Sequence, residues 1–419
     1  MPNNTPKVPN SSEISKLPGL LKARVLPIIF LFSLLGLLGI SLTVVYSATI
    51  AEKGETIFYL QARWIIIGMI TALIISFLPL EKLMKRAHWG LLLVGIPLAY
   101  MACASIAYKL NPDFLNFFPF VPYVKGAVRW IRVPLIGQVQ PSELSKVALI
   151  FFLASYYGCR SKKETQDFLS GVLIPGIPCG IILILILLGH DLSTTVITGL
   201  TIFLIMFIAG VRLKFLVPIV ILGFAVGCVA IATSPERQSR ITSFRNPEQH
   251  KNGDAYQLWR SVLSLGNGGL RGHGAGAGTV KTFLPEAHTD FIIAVIGEEF
   301  GFFGIFLVFF LYTVLCTSIV FIGQQCRLQP DMLLCMGISA FISIQALINI
   351  GVVSSSLPTT GVTAPFISYG GTSMLVLLAM AGIVLNISRR NIIDIWHENI
   401  SSRFHLTYRA LQNKRNNDE

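Results

Sequence analysis

Charge is what this sequence has least of. Only 13% of its 419 residues are Asp, Glu, Lys or Arg, against 53% hydrophobic, and the mean hydropathy is +0.67. Such scarcity excludes an ordinary soluble domain, whose surface needs many more polar groups to face water. Cysteine is sparse too. Cys103, Cys159, Cys179, Cys228, Cys316, Cys326 and Cys335 fall in apolar runs or in loops expected inside the cell, which excludes an extracellular disulfide framework. No cluster of metal-ligating residues at diagnostic spacing is visible, and no internal repeat divides the chain.

What the chain does have is long apolar runs. A helix needs about 20 apolar residues to span hydrocarbon, and about ten runs qualify: 26–47, 60–80, 88–108, 141–158, 169–188, 192–210, 214–234, 291–323, 331–353 and 366–387. Backbone polar groups in lipid must bond within their own segment, so the expected fold is an all-α integral membrane protein. It divides into an N-terminal tail (1–25), a membrane domain (26–388) and a basic C-terminal tail (389–419). Only "GHDLS" separates the fifth and sixth runs, predicting a tight hairpin. The first run, at about 22 residues, exceeds the ~7–15 of a signal-peptide core.

Lys and Arg set the orientation. Lys82, Lys85, Arg86, Arg160, Lys162, Lys163, Arg212, Lys214, Arg327 and both tails fall on one side, predicting that both termini are cytoplasmic in the inner membrane. This topology and anionic lipid explain part of the net charge of +12, and no nucleic-acid partner is expected. Two outer loops depart from the bias. Loop 109–140 carries Lys109, Lys125, Arg129 and Arg132, and the long loop 235–289, between helices 7 and 8, carries Arg237, Arg240, Arg245, Lys251, Arg260, Arg271 and Lys281. Basic groups on the outer face suggest an anionic ligand.

The chemistry-bearing residues gather near these loops. In "LPEAHTDFIIAVIGEEFG", Asp290 follows Glu286, His288 and Thr289 at the mouth of helix 8, where a partly desolvated carboxylate can act as a base or, alternatively, cap the helix. Glu298 and Glu299 lie two turns further in. Neighbours on a helix diverge by about 100°, so they cannot share one partner, and at least one is expected to meet a cation or a water-filled cavity. Glu143 and Lys146, three apart, share a helix face and can pair, with Ser142 or its neighbour as the cap. Asp191 reads as the cap of the helix starting at Leu192. The glycine-rich "LGNGGLRGHGAGAG" reads equally as a flexible turn or as a phosphate cradle. Pro358, Gly361, Pro365, Gly370 and Gly371 interrupt the last outer connection, implying a bent segment packed in protein or lining a cavity.

Taken together, "PEAHTDFIIAVIGEEFG", "QPSELSK", "GAVRWI" and "LPTTGVTAPFISYGGTS" resemble the SEDS family of membrane peptidoglycan glycosyltransferases, and its division branch more than its elongation branch. The resemblance covers most of the chain, in the family's order. The sequence departs from the pattern at His190, where Pro is usual, at Ser193, where Gly is usual, and at Ser354 to Ser356, which replace a more apolar stretch.

The resemblance implies polymerisation of lipid II at the outer membrane face, with an undecaprenyl-pyrophosphate-linked glycan as donor and Asp290 as the essential acid. A positioned carboxylate suits this reaction, because the acceptor hydroxyl loses a proton as it attacks the anomeric carbon. Candidate substrate-binding residues are Lys125, Arg129, Arg132, Glu143, Lys146, Arg271, Glu286, His288, Thr359, Ser368 and Tyr369, and candidate supporting residues are Asp191, Glu298, Glu299, Gly361, Pro365, Gly370 and Gly371. No cofactor is assigned, although Mg2+ or Mn2+ could share the leaving-group charge. The expected partner is a class B penicillin-binding protein, with other division or elongation machinery. Two alternatives are a transporter that flips lipid II and a non-catalytic scaffold for the transpeptidase.

Overall fold

In a computed structural model, residues 17–123, 128–134, 137–245, 248, 253 and 255–417 are described. Each predicted apolar run contains a helix, as expected where main-chain groups have no water to bond. The elements are α1 (Leu17–Lys53), α2 (Thr56–Phe77), α3 (Leu80–Lys85), α4 (Ala87–Leu110), β1 (Ile131–Val133), β2 (Gly137–Val139), α5 (Pro141–Gly158), α6 (Lys162–Thr165), α7 (Ile174–Leu188), α8 (Leu192–Ile208), α9 (Leu213–Ala232), α10 (Pro235–Arg245), α11 (Tyr256–Gly268), α12 (Ile292–Gln324), α13 (Gln329–Val353) and α14 (Gly371–Asn417). Among the described residues, eight helices are long and apolar enough to cross a membrane. The apolar α8 is shorter, and α5, which carries Glu143 and Lys146, falls outside that set.

The helices pack through small residues and buried polar groups, since lipid tails are as apolar as leucine and provide no hydrophobic drive between helices. Along the α2–α14 seam, a Cβ at Gly68 would lie 2.4 Å from Leu378, and one at Gly382 would lie 2.5 Å from the Ala72 carbonyl. Here the helices touch at near-backbone distance. In addition, α12 lies along α1 and α13, and α13 along α5 and α8. Most side chains of α9, by contrast, are exposed.

Three features refine the expected bundle. The run 366–387 starts its helix only at Gly371, because residues 357–370 form an irregular segment. Buried side chains from four helices satisfy its carbonyls: Ser41 of α1 donates to Ile367 (2.7 Å), Gln61 of α2 to Ser368 (3.3 Å), Tyr312 of α12 to Pro365 (2.5 Å), and Gln345 and Asn349 of α13 to Thr363 (3.0 Å) and Val362 (2.6 Å). Second, loop 109–140 contains an antiparallel hairpin pairing Ile131 with Val139 and Val133 with Gly137. The all-α membrane architecture stands with this small hairpin added, whose three-residue strands leave no periodicity to read in the sequence.

Third, α12 is broken. Gly301 adopts φ 63°, ψ −158°, a conformation essentially restricted to glycine. The glycine-rich turn after α11 fills the break: Phe302 and Phe303 donate their amides to the carbonyls of Gly269 and Leu270, while His273 and Gly274 donate to those of Glu298 and Glu299. A Cβ at Gly272 would lie 2.2 Å from the Glu299 carbonyl. Gly268 and Gly272 are therefore there for close approach to a helix end, and the amides of His273 and Gly274 cap protein carbonyls rather than cradle a phosphate.

Candidate functional site

The turn before α12 closes on Glu286. Glu286 takes a left-handed conformation (φ 57°), its carbonyl receives the amides of Thr289 and Phe291, and its carboxylate receives the Thr289 hydroxyl at 3.0 Å. Phe291 occupies the cap position and Ile292 begins the helix, so Asp290 stands one residue ahead of the cap and does not fill it. Residues 291–299 are all buried, whereas Asp290 is only half-buried. Its side chain sits at the edge of a helix enclosed by protein.

Asp290 is held against the irregular segment 357–370. Asn349 donates through one amide nitrogen to both the Asp290 carbonyl (2.8 Å) and the Val362 carbonyl (2.6 Å), tying the two stretches together. A Cβ at Gly361 would lie 3.5 Å from Asp290 Oδ2. The Tyr369 amide donates to the His288 carbonyl at 2.9 Å, and their rings lie 5.9 Å apart. Ser368, expected to bind substrate, is buried, donating to the Thr289 carbonyl and accepting from the Ala364 amide; it belongs to the scaffold. Pro365 is buried under Tyr312, the Gly370 carbonyl accepts the Met374 amide, and Gly371 lies where a Cβ would meet the Trp64 ring at 2.5 Å.

The same segment also meets a group of cations. Arg240 of α10 reaches the Thr359 carbonyl at 3.5 Å and pairs with Glu236 at 2.7 Å, and Ser193 donates to the Thr360 carbonyl at 2.6 Å. Nearby, Arg129 donates to the His190 carbonyl at 2.6 Å. Burial, and then the charges of Lys109, Arg237 and Arg129, hold the His190 imidazole below its ordinary range. Arg237 is pulled down in turn by burial and then by Arg129. Lys109, Arg237, Arg240 and His190 were missing from the sequence-derived candidates for this site. Charge alone could not separate them from the other basic residues of their loops. Arg132 is exposed on β1 opposite Gln138, and Arg271 is exposed on the glycine turn at the α12 break; Lys125 lies outside the described residues.

Asp191 caps α8 by accepting the Thr194 amide (3.1 Å), and its other oxygen accepts from Gln140 (3.0 Å) and Ser142 (3.3 Å). Ser142 therefore serves Asp191 and does not cap α5, whose cap position, Gln140, makes no side-chain cap bond. Lys146 meets Glu143 at 2.6 Å and lies 4.9 Å from the Phe341 ring centre, bordering a small cavity with Thr198 and Thr201 of α8. This ion pair is buried between helices, not exposed at the mouth.

Glu298 and Glu299 diverge as their helical spacing requires. Glu298 accepts three consecutive amides, from Thr279 (2.7 Å), Val280 (2.7 Å) and Lys281 (3.1 Å). Glu299 pairs with the Lys281 ammonium at 2.5 Å and accepts the Ser47 hydroxyl. The expected cation is thus Lys281, which the sequence had grouped with an anion-binding surface. Four non-glycine residues have left-handed φ among the described ones, namely His190, Glu286, Ser355 and Phe366. All lie in or beside these segments, and such conformations persist where the surroundings over-determine them. Among the described residues, no group of three His, Cys, Asp or Glu could hold a metal ion.

A family model described as "Cell cycle protein" (FtsW/RodA/SpoVE) matches residues 23–392. The probable peptidoglycan glycosyltransferase FtsW of Tolumonas auensis is 34% identical over 373 residues, spanning 86% of this chain and 91% of its own length. Its counterpart in Coxiella burnetii is 36% identical over 365 residues, spanning 84% and 94%. Among solved structures, a peptidoglycan synthase complex coordinating polymerization and crosslinking superposes with TM-score 0.70 at 23% identity, covering 86% of this chain and 97% of the other. The Thermus thermophilus rod shape determining protein RodA gives 0.62 at 23% identity, covering 86% and 95%.

Proposed function

The chain belongs to the FtsW/RodA/SpoVE family of cell cycle proteins, and from that membership we propose that it is a peptidoglycan glycosyltransferase polymerising lipid II for septal wall synthesis. One observation carries the site assignment: the Thr359–Gly361 stretch meets the half-buried Asp290 at Gly361 and, at the Thr359 carbonyl, Arg240, which acts with Arg129 and Arg237. In this reading the Asp290 carboxylate takes the proton of the acceptor hydroxyl as that oxygen bonds to the donor's anomeric carbon. The bond from that carbon to the diphosphate oxygen breaks in the same displacement, and the departing electron pair stays on the diphosphate. Arg129, Arg237 and Arg240 neutralise that charge through charge-assisted hydrogen bonds. A single inverting displacement needs one base and no covalent intermediate.

The site faces outward and both termini are cytoplasmic in this reading, with a class B penicillin-binding protein as the crosslinking partner. The relatedness to proteins named FtsW supports a septal role. Purified full-length protein given lipid II in detergent tests the reaction where no membrane sides exist. Asp290→Asn should lower polymer formation by about 10²–10⁴-fold with lipid II still bound. Undiminished polymer from that variant refutes the base role. The break in α12 is the feature that favours the transporter reading, since discontinuous helices line transport sites; lipid II binding without polymer from the unaltered protein would favour it.

A further inference from the structure

His190 stands in the middle of the cationic group yet has no part in the chemistry above. Its backbone is left-handed (φ 64°), and Arg129 fixes its carbonyl at 2.6 Å. The Ser105 hydroxyl meets its Nδ1 at 3.0 Å, and the ring also hydrogen-bonds the Leu188 backbone. Three cations carried by three different elements act on the half-buried imidazole: Lys109 at the end of α4, Arg129 in the segment before β1 and Arg237 in α10. The neighbouring acid, Asp191, is committed to Gln140, Ser142 and the Thr194 amide, and Glu236 is paired with Arg240.

We propose that His190 is a proton-coupled member of the diphosphate site, its imidazole taking up one proton as the anion seats among Lys109, Arg129 and Arg237. The proposal rests on reading that cluster as the diphosphate site. Its physical basis is a change in the sign of the local field. Without an anion, burial and three positive neighbours disfavour imidazolium and outweigh the Leu188 backbone bond that favours it. A diphosphate brings at least two negative charges to the same place, and imidazolium then becomes one more donor. Linkage makes the effect reciprocal, so binding that promotes protonation is itself strengthened as the pH falls. The strengthening begins near the bound-state midpoint and levels off below the anion-free midpoint, where the ring is already charged.

Full-length protein in detergent, carrying 13C-labelled histidine, tests this by NMR titration against pH. One arm uses inorganic pyrophosphate and the other undecaprenyl diphosphate, and the His190→Gln spectrum assigns the resonance. The expected result is a His190 midpoint below that of a free histidine, rising by about one pH unit when either anion is bound, since one unit corresponds to about a tenfold change in affinity. His190→Gln should still bind pyrophosphate but lose that tenfold pH-dependent gain relative to the unaltered protein. An unchanged midpoint with pyrophosphate demonstrably bound overturns the coupling and leaves the site reading intact. If neither anion binds, or Arg237→Gln binds both as well as the unaltered protein, the site reading fails and the proposal fails with it.

Discussion

Asn349 shows how one uncharged side chain can govern this site. Its amide nitrogen donates to the carbonyls of both Asp290 and Val362, so it fixes the carboxylate-bearing turn relative to the irregular segment. Asn349→Leu keeps the volume and strands both carbonyls. Leaving a buried acceptor unpaired costs about 1–3 kcal/mol, and the unfolding midpoint in detergent should fall accordingly. The turnover number should fall by roughly 100-fold, as a misplacement near 1 Å costs catalysis, while the KM for lipid II changes little. A variant with normal turnover would show that the bridge does not position Asp290. Asn349 lies inside an apolar run, "ALINIG", and its polarity was visible there. Its partners were not, being 59 and 13 positions away.

At the scale of elements, the broken α12 concentrates the cost of building the site. Its first part is enclosed by protein, and the turn after α11 holds its end through Gly301, the Glu298 amide contacts and the Lys281–Glu299 pair. A Cβ at Gly301 would lie 2.5 Å from the Gly272 nitrogen, in a backbone region that L-residues avoid. Gly301→Ala should therefore destabilise the protein by at least ~1–3 kcal/mol, read as a lower unfolding midpoint in detergent. Lys281→Met leaves a carboxylate that is 0% exposed without its cation. Breaking such a pair costs about 3–5 kcal/mol, whereas Lys281→Met combined with Glu299→Gln removes the stranded charge and should recover much of the loss. Additive effects in this double-mutant cycle would show that the two groups do not interact.

For the whole molecule, the consequence is polarity across the bilayer. The turn before α12, the irregular segment, the hairpin and α10 assemble at one end, while Arg390 with Asp331 (2.8 Å) and Asn391 with the Ile322 carbonyl (3.2 Å) close the other. In the proposed orientation, a cysteine replacing Gln238 in a cysteine-free background should react with a membrane-impermeant maleimide on intact cells, and one replacing Lys163 only after permeabilisation. The reverse pattern overturns that orientation. Substitutions among the exposed apolar residues of α9, such as Phe224→Leu, should change stability by less than about 0.5 kcal/mol, measured by thermal unfolding in detergent.

Some of this was legible in one dimension because its causes are local. Hydrocarbon requires each apolar run to satisfy its own backbone, so the helical segments followed from composition and length. The separation of Glu298 from Glu299 and the pairing of Glu143 with Lys146 followed from helical spacing, and the Asp191 cap from its place before Leu192. The helix break at Gly301, the start of α14 at Gly371, the assignment of Lys281 to Glu299 and the gathering of Arg129, Arg237 and His190 were settled only by tertiary structure. Each depends on what a distant segment supplies: a carbonyl for an amide, a cation for a carboxylate, or a surface too close for a side chain. Hydrogen bonds and charges act over a few ångströms of space whatever the distance along the chain, so the sequence determined which groups were present and the fold determined which of them meet.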